Sequence, residues 1–328
     1  MDLELLRERA GIIRNVRSFF DSRGYLETDT PLLAPDLIPE SCLEVFQTTR
    51  LYPKGSLMAE KPYWLIPSPE IWMKRLIARY RTNLYQICKC FRNGESSGRQ
   101  HSPEFTMLEY YTVDAGYVDS LKLTEGLFVS LLGGRQEADL SLPFITMTVE
   151  EAFAKWAGFD LYKAAKDPAA MEAEARRLGL EPPQGLSVPA LYDLIFIHAV
   201  EPNLKLDKPV VLMDYPAFVP CLAKKTKDGK TVERWELYAG GIELANCFSE
   251  ETDAEKIRAF FESEQAAKEK NSLVKHKVDD DYWKVFAAGQ TNRKGFPKCS
   301  GVALGLDRLI MLLCGYSSID GVLPFPMD

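Results

Sequence analysis

Three segments of this chain of 328 residues carry side chains that act on phosphates, carboxylates and amines. In the first, Arg92 ends an alternating run, and a polar loop then leads to Phe105. A guanidinium group binds phosphate or carboxylate through two parallel hydrogen bonds, and an aromatic ring offers a stacking face. The same features fit a solvated hairpin loop without a chemical role, and taken by themselves they favour that interpretation.

The second segment covers residues 301–312, where glycines precede an arginine and an apolar run. Gly301 and Gly305 carry no side chain, so they allow the close approach of a backbone or a ligand. Arg308 then offers a second guanidinium group. A buried structural arginine paired with Asp307 is the alternative, and the pattern does not decide between the two.

The third segment contains two glutamates, one on each side of Gly240-Gly241. Two glycines between alternating runs predict a two-residue hairpin turn, in which residue 238 faces residue 243. Glu236 then lies diagonal to Glu243 on one face of the sheet. Like charges at this spacing are costly unless a cation lies between them, and carboxylate oxygens suit Mg²⁺. Two exposed glutamates on a solvated face are the alternative.

A common site for Glu243, Asn246 and Glu250 needs an irregular strand. Strict alternation places Asn246 on the opposite face of the sheet from Glu243. The three side chains therefore share a site only if the strand contains a β-bulge near residues 245–247.

Amphipathic spacing predicts the helices that must position these segments. The helix over 68–80 has Ser68 as its expected N-cap and Pro69 in its first turn. The expected helices cover residues 3–23, 68–80, 117–132, 252–270 and 279–288, with a mostly helical stretch over 148–200 that prolines interrupt.

Alternating and β-branched runs predict the strands. Residues 83–92 and 104–111 form a long hairpin around the polar loop, and residues 301–313 begin extended and end as an apolar helix. Further strands are expected over 25–31, over 209–215 and from 234 onward. Strands flanked by helices without regular βαβ alternation predict an α+β fold with a mainly antiparallel sheet.

Composition narrows the class of protein. With 46% hydrophobic and 27% charged residues, the chain is neither disordered, collagen-like nor a small disulfide framework. The formal charge of −7 gives no general attraction to nucleic acid or an anionic membrane. Seven cysteines without a C-x-x-C pair, and three histidines apart from them, argue against zinc and for reduced thiols. The charged N-terminus lacks a secretory signal pattern, so the cytoplasm is expected.

The three segments together resemble the catalytic core of class II aminoacyl-tRNA synthetases. Residues 24–31 resemble motif 1, residues 91–105 motif 2 and residues 305–308 motif 3, in the same order and across nearly the whole chain. Segments 68–70, 103–111 and 243–250 are similar to the lysyl branch. The resemblance implies one class II synthetase-like catalytic domain over 1–328, with a mostly helical insertion at about 148–205.

Two features are similar to a narrower family, the elongation factor P lysine ligases. The motif 1 helix begins within the first few residues, which leaves no room for the anticodon-binding domain of lysyl-tRNA synthetases. Ala303 stands where those synthetases have glycine, a change that in the ligase family is associated with a pocket for (R)-β-lysine. The resemblance implies activation of (R)-β-lysine or lysine as an adenylate and its transfer to a lysine of elongation factor P.

The resemblance also implies a role for each matching residue. Arg92 would bind the ATP α-phosphate and the amino-acid carboxylate, while Phe105 and Arg308 would enclose the adenine. The other expected ATP-binding residues are Glu95, which would contact the base, with Ser102, Glu243, Leu244 and Gly305. The expected Mg²⁺ ligands are Glu236 and Glu243. The amino groups of the substrate would be recognised by Glu70, Tyr111, Asn246 and Glu250, with Ser68 and Ala303 lining the same pocket.

Departures from the family pattern fall in the motif 2 loop. Gly94 intervenes before Glu95, and Ser102 stands where asparagine is usual, whereas Arg92 and Phe105 are unchanged. A homodimer through residues 25–33 is expected, and tRNA is not expected as a partner. Two alternatives remain: a synthetase paralogue that charges tRNA or another acceptor, and a catalytically silent binding paralogue, against which the intact set of charged residues speaks.

Overall fold

The computed structural model describes residues 2–94, 98–134, 140–289 and 294–327. Its strands are β1 (Leu26–Glu27), β2 (Leu33–Ala34), β3 (Gln47–Lys54), β4 (Leu57–Leu65), β5 (Leu84–Phe91), β6 (Glu104–Val113), β7 (Ile145–Thr148), β8 (Val210–Pro216), β9 (Thr231–Ala239), β10 (Ile242–Ser249) and β11 (Cys299–Gly305). Its α-helices are α1 (Leu3–Asp21), α2 (Glu70–Tyr80), α3 (Tyr117–Leu132), α4 (Val149–Ala152), α5 (Leu161–Ala164), α6 (Pro168–Arg177), α7 (Val188–Ile195), α8 (Ala254–Asn271) and α9 (Leu306–Leu313).

The chain divides into two compact units, and the elements of each are described separately. The first unit contains Met1–Gly116 and Glu250–Asp328, and the second contains Tyr117–Ser249. The helical insertion expected near 148–205 falls within the second unit, where π-helical turns extend α4 and α7. Among the described residues, no helix combines the length and the apolar character needed to cross a membrane.

In the first unit, the strand order is β1, β5, β6, β11. β1 pairs with β5 in parallel, and the β5–β6 and β6–β11 pairs are antiparallel. The predicted long hairpin is confirmed, because residues from Leu84 to Phe91 pair with residues from Tyr111 to Glu104. The prediction that residues 301–313 begin as a strand and end as a helix is also confirmed, because β11 continues directly into α9.

Helix α1 forms because its N-terminus is capped and one face is apolar. The Asp2 carboxylate accepts a hydrogen bond from the backbone N–H of Leu5 at 2.9 Å, which satisfies a donor that the helix itself leaves unpaired. Phe20 on its buried face packs against Tyr85 of β5 and Tyr110 of β6, with ring centroids 4.9 and 4.8 Å apart. The helix thereby covers the face of the sheet opposite to the one that carries Glu109 and Tyr111.

A small antiparallel sheet of β2, β4 and β3 was not predicted. Most residues of β3 and β4 are exposed, so the two strands lack the apolar alternation on which the sequence analysis relied. The inner side of this sheet packs on a cluster of five buried side chains, Ala34, Leu37, Val45, Trp64 and Ile66.

In the second unit, β10, β9, β8 and β7 are neighbours in this order. The β10–β9 and β9–β8 pairs are antiparallel, and the β8–β7 pair is parallel. The helices of this unit pack on a core of buried side chains that includes Phe153, Tyr192 and Leu212. Antiparallel pairs therefore predominate in both units, as an α+β fold with a mainly antiparallel sheet requires.

Three local predictions were wrong. Helix α2 begins at Glu70 with Pro69 at its N-cap position and no capping side chain, so Ser68 is not the cap. The strand expected over 25–31 is limited to Leu26–Glu27. One more backbone bond follows, from the Thr28 N–H to the Tyr85 carbonyl, and Pro31 then has no N–H with which to extend the pairing. The helix expected over 279–288 is one 3₁₀ turn, Tyr282–Val285, since the Asp279 carboxylate accepts the N–H of Asp281 and favours a turn.

Candidate active site

Three residues expected to bind substrates, Phe105, Tyr111 and Ala303, lie on one face of the sheet of the first unit. Partners in register across an antiparallel ladder project from the same face. Tyr111 is paired with Gly301, and Glu109 is paired with Ala303. Phe105 lies on the same side of β6 as both, because side chains alternate along a strand. We call this surface, defined by Phe105, Glu109, Tyr111, Gly301 and Ala303, the active-site face.

Arg92 and Phe105 are held together at one end of this face. The backbone N–H of Arg92 donates to the Pro103 carbonyl at 3.0 Å, which closes the base of the hairpin loop. The guanidinium carbon of Arg92 lies 5.3 Å from the centroid of the Phe105 ring, within cation–π range. The loop is therefore anchored at its base. Arg92 is half-buried, so the interpretation as a fully solvated loop, which the physical features alone favoured, does not apply to this residue.

Arg308 is placed against the motif 2 loop rather than in the core. Its Nε donates to the Gln100 carbonyl at 3.0 Å, and the side chain is half-buried. Ser102 of the same loop is buried, and Glu95 lies outside the described residues. Gly305 ends β11 and forms the N-cap position of α9, so it is the residue at which the strand turns into the helix.

The structural arginine of this region is Arg9. Its Nη2 lies 2.6 Å from Oδ1 of Asp307, and both side chains are buried. Oδ2 of Asp307 accepts the backbone N–H of Thr106 at 2.5 Å. Asp307 thus connects α1, β6 and α9, and the sequence-based alternative that paired it with Arg308 is wrong.

Two carboxylates meet a buried lysine at the other end of the active-site face. The Nζ of Lys74 lies 2.6 Å from Oε1 of Glu70 and 2.7 Å from Oε2 of Glu250. Oε1 of Glu250 is buried and has no hydrogen-bond partner in the described structure. Burial raises the pKa of Glu250 to about 7, and the nearby Lys74 ammonium opposes that rise.

A hydrogen-bonded pair, Tyr111 and Glu109, lies on the active-site face next to these groups. The Tyr111 hydroxyl donates to Oε1 of Glu109 at 2.7 Å, and Oε2 of Glu109 is buried without a partner. Burial, with the negative charge of Glu70, raises the pKa of Glu109 well above its usual range. Burial raises the pKa of Tyr111 as well, so its hydroxyl stays a donor. Ala303 places its methyl group beside this pair, because it faces Glu109 across the ladder.

Gly301 leaves the space in which Tyr111 and Glu250 sit. A Cβ on Gly301 would lie 2.5 Å from Cε1 of Tyr111 and 2.8 Å from Oε1 of Glu250. Both distances are below normal contact, so any side chain at this position displaces the two groups. The unpartnered carboxylate oxygen and the missing side chain therefore belong to one feature of the pocket.

The Glu236 and Glu243 segment lies in the second unit and has the predicted turn. Gly240 and Gly241 have φ of 58° and 79°, as a two-residue hairpin requires, and Glu243 pairs with Tyr238. The register shifts between Glu243 and Ala245, which makes Leu244 the extra residue of a bulge.

This bulge brings the polar side chains of the hairpin to one side. Asn246 faces Glu236 directly across the ladder, and Glu243 and Tyr238 lie on the same face. A bulge was required by the sequence analysis, and it lies slightly before the expected position at 245–247. Oδ1 of Asn246 is buried and has no partner in the described residues, so a ligand donor is expected there.

Glu236 is more heavily engaged than expected. Its Oε2 accepts hydrogen bonds from the hydroxyls of Tyr215 at 2.6 Å and Tyr238 at 2.7 Å, and its Oε1 lies 2.5 Å from the Arg234 guanidinium. A carboxylate has about four acceptor sites, so Glu236 has about one left for a metal. Glu243 on the same face is half-buried.

Glu236 and Glu243 suit a Mg²⁺ ion that is also bound by the phosphates of a nucleotide, but not one that is bound by the protein alone. The described residues contain no group of three or more His, Cys, Asp or Glu side chains placed to hold a metal ion. Mg²⁺ characteristically uses one or two carboxylates together with substrate phosphates and water. Glu243, with the remaining acceptor site of Glu236, meets that requirement, whereas a cage formed by the protein alone is absent from the described part of the chain.

Sequence reasoning missed Lys74, Arg234, Tyr215 and Tyr238. A signal existed for Lys74, because it follows Glu70 by four residues and such pairs meet on a helix. Its second partner, Glu250, is far along the chain, and no spacing rule predicts that contact. The structure brings together Glu70, Tyr111 and Glu250 in the first unit, while Asn246 belongs to the second.

Comparison with known proteins identifies the family of the chain. Residues 3–328 match the family described as "tRNA synthetases class II (D, K and N)". An "Elongation factor P--(R)-beta-lysine ligase" from Avibacterium paragallinarum is 36% identical to this chain. The alignment spans 334 positions and covers 99% of this chain and 96% of that protein.

Two further relatives have the same name. The protein from Pasteurella multocida is 34% identical, with 99% of this chain and 96% of the relative covered. The protein from Proteus mirabilis is 35% identical, with 98% of this chain and 94% of the relative covered. The chain therefore belongs to the class II tRNA synthetases of the D, K and N group and, within them, to the family of elongation factor P--(R)-β-lysine ligases.

Proposed function

We propose that this protein is an ATP-dependent ligase that activates (R)-β-lysine, or lysine, as an adenylate and transfers it to a lysine of elongation factor P. The observation that carries the proposal is the unpartnered Oε1 of Glu250, a buried acceptor beside Tyr111 on the same face as Arg92 and Phe105. Burying a carboxylate oxygen without a donor is costly, so the pocket is suited to an ammonium group. The family membership and the names of the relatives support the same substrate class.

Activation begins with the amino acid held at both ends. Glu250 and Glu70 bind the amino groups, and Arg92 binds the carboxylate together with the ATP α-phosphate. One carboxylate oxygen attacks the α-phosphorus, an oxygen–phosphorus bond forms, and the bond to pyrophosphate breaks. The chain supplies orientation and positive charge rather than a nucleophile, as is general for such transfers.

The proposed ATP site uses the segment that contains Arg92 and Phe105 and the segment that contains Arg308. In the first unit, Phe105 and Arg308 enclose the adenine, and Ser102 and Gly305 are further proposed ATP contacts. Glu243 and Leu244 of the second unit, and Glu95 outside the described residues, are proposed as ATP contacts from the family resemblance. Glu243 and the last acceptor site of Glu236 would hold Mg²⁺, which would supply positive charge against the phosphates.

Transfer follows when the amine of a lysine on elongation factor P attacks the adenylate carbonyl. An amide bond forms, the bond to AMP breaks, and the amine loses its proton. Elongation factor P is the proposed acceptor because the relatives are named for it. The charge of −7 does not favour binding of the tRNA backbone, since phosphate contacts supply most such affinity. We also propose a cytoplasmic location and a homodimer.

Amino-acid-dependent exchange of labelled pyrophosphate into ATP tests the activation step. The purified chain is assayed with (R)-β-lysine, lysine, ornithine and norleucine, which lacks the side-chain amine. The expected order is (R)-β-lysine first, lysine next and no exchange with norleucine. If norleucine supported exchange as well as lysine does, the pocket would not recognise a side-chain ammonium group, and the proposal would be contradicted.

A further inference from the structure

Lys74 has no role in the activity proposed so far, although it is the most deeply buried charged side chain of the pocket. Its side chain has no exposed surface, and it projects from α2 between Glu70 and Glu250. Burial disfavours its charge, but the attraction of Glu250 and Glu70 outweighs burial and raises the pKa of Lys74 well above its usual value. The ammonium form is therefore a fixed part of the pocket.

Lys74 contacts one oxygen of each carboxylate, which leaves one oxygen of Glu250 for the pocket. The Lys74 ammonium forms ion pairs with Oε1 of Glu70 and with Oε2 of Glu250. Oε1 of Glu250 remains without a partner and lies against the space above Gly301. A carboxylate held by one oxygen in this way has a defined orientation, and its free oxygen faces one direction only.

We infer that Lys74 is a positioning residue: it anchors Glu70 and Glu250 by one oxygen each and so presents Oε1 of Glu250 to an ammonium group of the substrate. This inference rests on the proposed function for the identity of the ligand, but not for the anchoring itself. A lysine is suited to this position because the buried carboxylate of Glu250 and the half-buried carboxylate of Glu70 repel each other unless a cation lies between them.

The balance of charge shows what the loss of Lys74 does. The groups that face Glu250 are Lys74 and Glu70 from α2, Tyr111 from β6, Tyr282 from the 3₁₀ turn and Cys299 from β11. Burial raises the pKa values of Tyr111, Tyr282 and Cys299 well above their usual range, so all three are neutral. Lys74 is then the positive charge that opposes the rise in the pKa of Glu250.

The test replaces Lys74 by methionine, which has a similar length and no charge. We expect KM for the amino acid in pyrophosphate exchange to rise roughly 10- to 100-fold, since a hydrogen bond to a charged group is lost at Glu250. KM for ATP stays unchanged. Arg79→Met is the matched control, because it removes a positive charge from an exposed position of the same helix and should leave both constants unchanged.

An infrared titration separates this inference from the proposed function. The carboxyl band of Glu250 is assigned by difference from Glu250→Gln and followed against pH without any ligand. In the unmodified chain we expect its midpoint at about pH 7, because burial raises the pKa of Glu250 to about this value. In Lys74→Met it moves to higher pH, and in the double variant Lys74→Met, Glu70→Gln it moves part of the way back, because one repelling charge is removed.

The outcomes are distinct. An unshifted Glu250 titration in Lys74→Met overturns the positioning role, whatever the substrate is. If the Glu250 titration shifts but none of (R)-β-lysine, lysine and ornithine supports pyrophosphate exchange, the positioning role stands and the proposed function is overturned. If Lys74→Met does not fold, the double variant is compared with Glu70→Gln alone, and equal Glu250 midpoints in these two chains overturn the inference.

Discussion

Arg92 is the residue on which activation should depend most strongly. It is half-buried beside Phe105 and its position is fixed by the base of the β5–β6 hairpin. If its guanidinium group neutralises the α-phosphate in the transition state, Arg92→Ala should lower the rate of adenylate formation ~10²-fold or more. Pyrophosphate exchange measures this rate. Retained exchange would show that another group binds the phosphate.

Glu250 should give the reaction its pH dependence on the acidic side. Burial raises its pKa to about 7, and only the ionised carboxylate attracts an ammonium group. The kcat/KM for the amino acid should therefore be low below pH 7 and rise as the pH passes through this value. Glu250→Gln should bind both lysine isomers poorly and lose this limb of the profile. A limb that persists in Glu250→Gln would assign it to another group.

Ala303 is the residue that bears on the choice between isomers. Its methyl group lies beside Glu109 on the active-site face. In a close-packed pocket one methyl group discriminates by ~1–3 kcal/mol between ligands of different shape. Ala303→Gly should therefore shift the ratio of kcat/KM values from (R)-β-lysine toward lysine. An unchanged ratio would exclude Ala303 as the discriminating residue.

At the scale of the elements, the Arg9–Asp307 pair connects α1 with α9 and β6. Arg9→Met leaves Asp307 buried without its cation, which typically costs ~3–5 kcal/mol. We expect a clearly lower midpoint of urea unfolding. The control is Arg17→Met on the same helix, because the Arg17–Glu27 pair is exposed and should contribute about 0–1 kcal/mol. Equal midpoints for the two variants would contradict the assigned role of Arg9.

The elements that were predicted correctly are those whose pattern is local. The β5–β6 hairpin, the Gly240-Gly241 turn and the strand-to-helix run at 301–313 follow from alternation, turn residues and helical spacing within a few residues. The bulge at Leu244 was required by the chemistry rather than by any propensity. The β3–β4 hairpin was missed because its exposed strands lack apolar alternation.

Contacts between distant segments were beyond sequence reasoning. Asp307 was assigned to its neighbour Arg308, yet its partner is Arg9, nearly three hundred residues away. Glu250 was assigned to the substrate alone, although one of its oxygens is held by Lys74. Spacing rules describe partners within one helix or hairpin, whereas these pairs depend on how the elements of the first unit pack.

At the scale of the whole molecule, the proposed homodimer is expected to bury the segment around β1 and β2. Leu26 and Leu33 are 58% and 46% exposed in the isolated chain, and apolar side chains so placed favour an interface. Sedimentation equilibrium at micromolar concentration should give twice the mass of the chain. Leu26→Glu with Leu33→Glu should give monomers, and a monomeric unmodified chain would contradict the prediction.

The most direct measurement is intact-mass spectrometry of elongation factor P after incubation with the protein, ATP, Mg²⁺ and (R)-β-lysine, with bulk tRNA present in the same reaction. The account predicts that elongation factor P gains the mass of one β-lysyl group on a single lysine, that tRNA stays unlabelled, and that Arg92→Ala gives no product. Efficient labelling of tRNA with none on elongation factor P would contradict it.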